Sequence, residues 1–209
     1  MKKVSLICII LVGFICFTYA QTVTIGTQVW MTKNLNVSTF KNGDPIPEAK
    51  TNEEWEKAGE NKQPAWCYYE NDPANGPKYG KLYNGYAIND QRGLSPAGYH
   101  IPSDVEWSKL KKYLGSDAGT KMKSKSGWNS YSKVSGNGSN TSGFLGLPGG
   151  LRDADGAFNY IGEFGMWWSA SASTSSYYEL KVILHILSGS LTWSDDSKKV
   201  GLSVRCLKD

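Results

Sequence analysis

Histidine is nearly missing from this chain, with His100 and His185 the only two in 209 residues, and cysteine is sparse, with four. Chemistry built on imidazole therefore has little raw material. No Gly-x-Ser-x-Gly elbow occurs, which removes the hydrolases that depend on one. The glycine clusters Gly136-Asn137-Gly138-Ser139 and Gly189-Ser190 lack the spacing and strand–helix setting of a dinucleotide or phosphate loop, and read as turns. Charge of one sign is also scarce. The formal net charge is +4, and +2 without Lys2 and Lys3, too weak and dispersed to indicate nucleic acid or an anionic membrane surface. Beyond the first twenty residues no apolar run approaches the length of a spanning helix.

What is present begins with a leader. Lys2 and Lys3 precede an apolar stretch from Val4 to Phe17, and Thr18-Tyr19-Ala20 ends it before Gln21. That pattern predicts a secretory signal peptide over residues 1–20, cut after Ala20. A lipoprotein signal with lipidated Cys16 is the rival, and bulky Ile15 before the cysteine argues against it. The expected product is a single domain over residues 21–209, secreted, extracellular or held at the cell envelope. Cys8 and Cys16 leave with the leader, so Cys67 and Cys206 remain. In an oxidising compartment such a pair is expected to form a disulfide, against the alternative of two separately buried small side chains.

Abundant Gly, Tyr and Trp (23, 12 and 8 residues) predict short strands, many tight turns and aromatic packing under long loops. A hairpin is expected over Val23–Met31, turning at Gly26-Thr27. Thr51-Asn52-Glu53-Glu54 begins a short helix with a capping box. Ser103-Asp104-Val105-Glu106 begins a clearer one, with Val105, Trp107, Leu110 and Leu114 as its apolar face, Lys109, Lys111 and Lys112 toward its end, and Gly115 as its stop. Lys121–Gly143 reads as a long loop held by Trp128 and Tyr131, or as loop plus a little strand. After Phe144 the chain reads as mostly strand. Asp153-Ala154-Asp155-Gly156 is a hairpin turn, since Phe158 and Asn159 do not continue a calcium loop. Tyr177–Leu187 is a long strand, Asp195–Lys199 a polar loop, and Val200–Cys206 a closing strand. Lys181–Leu187 is unusually apolar, and either buries both faces or exposes a patch for a protein.

Several stretches together resemble the Fibrobacter succinogenes major paralogous domain, a secreted bacterial domain. They are Gly26-Thr27-Gln28-Val29-Trp30-Met31 with Asn34-Leu35, Trp66-Cys67-Tyr68-Tyr69-Glu70-Asn71-Asp72, and Gly80-Lys81-Leu82-Tyr83-Asn84. Gly98–Trp107, Leu147-Pro148-Gly149-Gly150, Trp167-Trp168-Ser169-Ala170-Ser171 and Ser203–Asp209 complete the set, while Gly85 and Tyr99 stand where the family usually carries Trp. The resemblance implies an α+β, C-type-lectin-like domain, with mixed short strands, one or two helices and long irregular loops. It relates the chain to the domain of formylglycine-generating enzymes but implies no settled activity.

In that fold the C-terminal strands and loops commonly carry the ligand face. Trp168, Tyr177, Tyr178, Glu179, Lys181, His185, Trp193 and Asp195 are therefore the expected ligand-binding residues, mixing flat aromatics with hydrogen-bonding groups. The expected partner is a glycan or an envelope or extracellular protein. No catalytic set assembles, because paired carboxylates drawn from Glu163, Glu179, Asp195 or Asp196 need a spatial separation that sequence does not supply. His100 reads as structural and His185 as an outward strand residue or a ligand contact. No metal set or cofactor motif is read. A binding domain is thus expected, with a formylglycine-type or carbohydrate-acting enzyme and a structural envelope component as its rivals.

Overall fold

The computed structural model describes residues 21–209, so the leader and its cleavage site lie outside the described residues. The chain opens with the expected hairpin, β1 (Thr22–Ile25) and β2 (Gln28–Met31), paired antiparallel with Val23 opposite Trp30. Helix α1 (Asn52–Glu60) follows, its N-terminus closed by Thr51 and Glu54 in a reciprocal capping box. Short elements come next: β3 (Trp66–Cys67), α2 (Gly76–Tyr79), β4 (Leu82–Asn84), α3 (Gly85–Ile88) and β5 (Tyr99–His100). Helix α4 (Asp104–Leu114) starts at the Ser103–Glu106 capping box and stops at Gly115, where φ is +86°. Trp107, Leu110 and Leu114 are buried, but Val105 is 76% exposed, so the apolar stripe is narrower than its sequence predicts.

Helix α5 (Ala118–Met122) then enters the stretch expected to be loop, and β6 (Ser130–Tyr131) with β7 (Val134–Ser135) forms a small exposed ladder. Trp128 anchors that stretch, buried and donating from Nε1 to the Gly146 carbonyl at 3.1 Å; Tyr131 stays exposed. The tail holds β8 (Gly149–Arg152), β9 (Phe158–Ile161), β10 (Phe164–Ala172), β11 (Tyr178–His185), β12 (Leu191–Ser197), β13 (Gly201–Leu202) and β14 (Leu207–Lys208). The β8–β9 turn has Gly156 at φ +85°, with Asp155 Oδ1 accepting from the Ala157 amide, as a turn requires.

Among the described residues the strands form small sheets in the orders β1-β2-β14-β5, β3-β4-β13-β8-β9, β10-β11-β12 and β6-β7. The pairings between named strands are antiparallel. With a few short helices, this is an α+β architecture. Two expectations fail at the C-terminus: β12 runs through Asp195-Asp196-Ser197, and Val200–Cys206 contributes only Gly201–Leu202 as strand. Asp195 and Asp196 are kept in the ladder by their partners Leu180 and Glu179 on β11.

The β10-β11 pair explains the apolar run. Met166 and Trp168 face one core cluster, with Ile183 packed against it, while Trp167, Val182 and Leu184 lie in a second. Successive side chains alternate across the sheet, and both faces are covered. In Lys181–Leu187 the face of Val182, Leu184 and Ile186 is buried, the face of Lys181, Ile183 and His185 is half-buried, and Leu187 projects, 58% exposed.

The expected disulfide is not formed. Cys67 and Cys206 are free and buried, in different core clusters, and burial pushes both thiols up to about 12. Each serves as a small apolar side chain.

Candidate functional site

Two sequence motifs end up as structural hubs. Asn34 Oδ1 accepts from Trp167 Nε1 at 2.8 Å and from Arg205 Nε and Nη2 at 3.1 and 2.8 Å. Arg205 is fully buried, and its Nη1 donates to the carbonyls of Met31 and Phe144. His100 is a second hub, its Nε2 2.8 Å from Glu106 Oε1 and its Nδ1 2.7 Å from Asp209 Oδ1. Both ring nitrogens are occupied by carboxylates, which leaves no lone pair for general-base work. Burial opposes protonation of His100, and the two carboxylates outweigh it and raise its pKa.

The expected ligand residues do not converge. Trp168 is fully buried and donates from Nε1 to the Tyr83 carbonyl at 2.7 Å, so it is core and not ligand face. Lys181 pairs with Asp196 across β11 and β12. His185 stacks on Phe164 at 4.4 Å, and Trp193 lies beneath Lys111 at 4.8 Å. Asp195 accepts from Ser173, and Tyr178 is exposed at the start of β11. Strand alternation disperses these side chains over opposite faces and both ends of the sheet.

Two of them lie next to a polar cleft of about 530 Å³ without lining it: Tyr177 beside Lys62, and Glu179 behind Asn89 and Lys198. Its wall comes from three separate stretches: Lys62 and Pro64 after α1, Tyr86 and Asn89–Arg92 from α3 and its following turn, and Ser176 with Lys198 flanking β11 and β12. Tyr177 stands at the rim, 65% exposed, with Lys62 Nζ 5.8 Å from its ring. Partial burial raises the Tyr86 phenol, and neighbouring Tyr177 adds to that rise.

The cleft is held rigid from behind. Glu179 is fully buried, and its Oε2 accepts from Asn89 Nδ2 at 2.7 Å and lies 3.5 Å from Lys198 Nζ. Asn89 Nδ2 also donates to the Gly85 carbonyl at 2.8 Å. Both amide hydrogens are thus used inward, which leaves Oδ1 as the acceptor that Asn89 offers. Burial raises the Glu179 carboxyl pKa against the pull of Asn89 and Lys198, and its Oε1 has no partner among the described residues.

Gly85 makes the closure possible. Its amide donates to the Lys198 carbonyl at 2.8 Å, and an added Cβ would lie 2.8 Å from Lys198 Cα. Opposite, Arg92 stacks on Phe40 at 4.1 Å, grips Asp90 through two 2.9 Å hydrogen bonds and reaches Asp44 at 3.2 Å. Those bonds hold Asp90 below the usual carboxylate range.

Tyr86, Asn89, Gln91 and Lys198 were not among the sequence candidates. For Asn89 and Gln91 the signal was the polar run Asn89-Asp90-Gln91-Arg92, which lies between motifs of the family resemblance and belongs to none. Neither histidine lines the cleft, and no group of His, Cys, Asp and Glu among the described residues could hold a metal ion. Chemically the cleft offers fixed acceptors, ammonium donors and two phenol rings.

An α+β domain of small antiparallel sheets with a polar, tyrosine-flanked cleft is the class this fold and site define. The family model for the Fibrobacter succinogenes major domain matches residues 23–208, and the chain belongs to that family. No curated protein and no solved structure matches the chain.

Proposed function

We propose that this domain is a secreted or envelope-associated recognition module, without catalytic activity, that binds a glycan in the cleft between Tyr86, Asn89, Tyr177 and Lys198. The single observation that carries the reading is Asn89, whose amide hydrogens are spent on Gly85 and Glu179 so that its oxygen is presented ready-oriented. A sugar ring offers hydroxyls to such an acceptor and to Lys198, and its C–H face to a phenol ring. Preorganised polar groups lower the ordering penalty of binding.

The scaffold is read as C-type-lectin-like, supported by small antiparallel sheets, two capped helices and long irregular connections around an aromatic core. A formylglycine-type oxidase needs reactive thiols, and Cys67 and Cys206 are buried, apart and held protonated. A carbohydrate-cleaving pair needs two carboxyls on the substrate, and here Asp90 is locked by Arg92 while Glu179 is sealed from solvent. A purely structural envelope component needs no concave polar site.

The test is a panel of envelope and plant glycans screened against the purified protein, with Asn89→Ala and Tyr177→Ala alongside. A glycan hit is expected, weakened about tenfold in each variant, as the loss of one oriented hydrogen bond or one stacked ring produces. Turnover of any glycan, or hits indifferent to both variants, would overturn the reading.

A further inference from the structure

Helix α4 carries a second feature, separate from the cleft. Its outward face holds Lys109, Lys111 and Lys112, and Lys208 of β14 lies beside it. None of these four pairs with a carboxylate among the described residues. The nearby acids are engaged elsewhere: Glu106 closes the helix cap and binds His100, and Asp209 binds the same imidazole. The result is local positive charge on a chain whose overall balance is nearly even.

Depressions run along both sides of the helix, with lysines on their rims. One, of about 680 Å³, lies between α4 and the β1–β2 turn and is bordered by Lys109, Lys112 and Tyr113. A smaller one beyond Gln28, bordered also by Glu106 and Asp209, continues it to Lys208. On the other side Lys111 and Lys112 border a third, which contains Trp193. Tyr113 is 66% exposed, with one edge against Gly26, where an added Cβ would lie 3.0 Å from the ring. Trp193 is half-buried under Lys111, and its indole N–H has no acceptor among the described residues. Flat rings set between cations are therefore repeated on both flanks of one helix.

We propose that this face is a docking surface for an acidic polysaccharide, whose carboxylates meet the lysines while its ring faces lie on Tyr113 and Trp193. Charge complementarity chooses an anionic partner. The placement of the aromatics chooses its form. A lipid surface would be met by a row of apolar side chains standing proud of the lysines; this helix face offers Val105 and the ring of Tyr113, and Trp193 is recessed. A uronate chain supplies regularly spaced carboxylates together with ring faces that fit recessed aromatics.

Affinity electrophoresis of the purified protein through gels containing polygalacturonate, with neutral dextran as the parallel gel, tests the proposal. Retardation by polygalacturonate alone is expected, and it should fade as salt is raised. The Lys109→Glu/Lys112→Glu double variant, both positions exposed, should weaken it about tenfold, as reversal of two screened surface contacts does. Tyr113→Ala should weaken it with no change in thermal midpoint. Asn89→Ala in the cleft should leave it intact, so that failure of this surface and failure of the cleft are read separately. Equal retardation by dextran, no retardation at low salt, or tighter binding to duplex DNA or phosphatidylglycerol vesicles would overturn it.

Discussion

At the scale of single residues, the fold depends on a few buried polar side chains that find their hydrogen-bond partners inside the protein. Arg205 illustrates this: burial drives its pKa down to about 9, and Asn34 with two backbone carbonyls compensates. Asn34→Ala leaves a buried guanidinium short of its acceptor, so unfolding should become easier by on the order of 3 kcal/mol, measured by urea denaturation. His100 gives a prediction about pH. Its folded pKa lies above 6.5, so the stability it adds is fully present below that value and is lost as pH rises through the folded pKa. Wild-type protein should therefore lose thermal midpoint between pH 6 and pH 9 (bracketing the ordinary histidine value) more steeply than His100→Gln does. Matching profiles would show that the imidazole is uncharged in the bridge. The sequence motifs read as a family signature include Asn34, His100, Trp167 and Arg205, and each proves to be a buried or bridging bond-maker. Such residues are legible because few types satisfy those bonds. The cysteines were misread because spacing says nothing of which cluster each side chain enters.

At the scale of elements, local signals held where the interaction is local. Both capping boxes formed as Thr51/Glu54 and Ser103/Glu106 predict. Ser103→Ala should destabilise the protein by about 1 kcal/mol in chemical denaturation. Tertiary pairing decided the rest. Val105 fits the helical stripe but faces solvent, because the core contacts of α4 come from Trp107, Leu110 and Leu114. Asp195-Asp196-Ser197 reads as loop by composition yet is strand, because β11 supplies its ladder. The β10-β11 sheet is fully buried on its Val182 and Leu184 face, so Leu184→Asp would bury an unpaired charge and should cost about 3 kcal/mol or more, whereas exposed Thr192→Asp on β12 should change little. Comparable losses in the two variants would contradict burial of that face.

At the scale of the whole molecule, the cleft is a product of topology. Residues near 62, 86–92 and 176–198 meet only because β11 and β12 bring Lys198 against Gly85. That approach has no room for a Cβ, so Gly85→Ala should shift Lys198 and reduce glycan binding while most of the core stays folded. Sequence placed the ligand face on Trp168, Tyr177, Tyr178, Glu179, Lys181, His185, Trp193 and Asp195, none of which lines the cleft, though Tyr177 and Glu179 adjoin it; it missed Tyr86 and Asn89 because a polar run does not announce a contact across ninety residues. Amide chemical-shift mapping during titration with a glycan hit tests the central claim most directly. The account predicts perturbations concentrated at Lys62, Tyr86–Arg92, Ser176–Glu179 and Lys198, with the glycan recovered unchanged. Perturbations clustered away from those positions, or the appearance of cleaved or modified sugar, would contradict it.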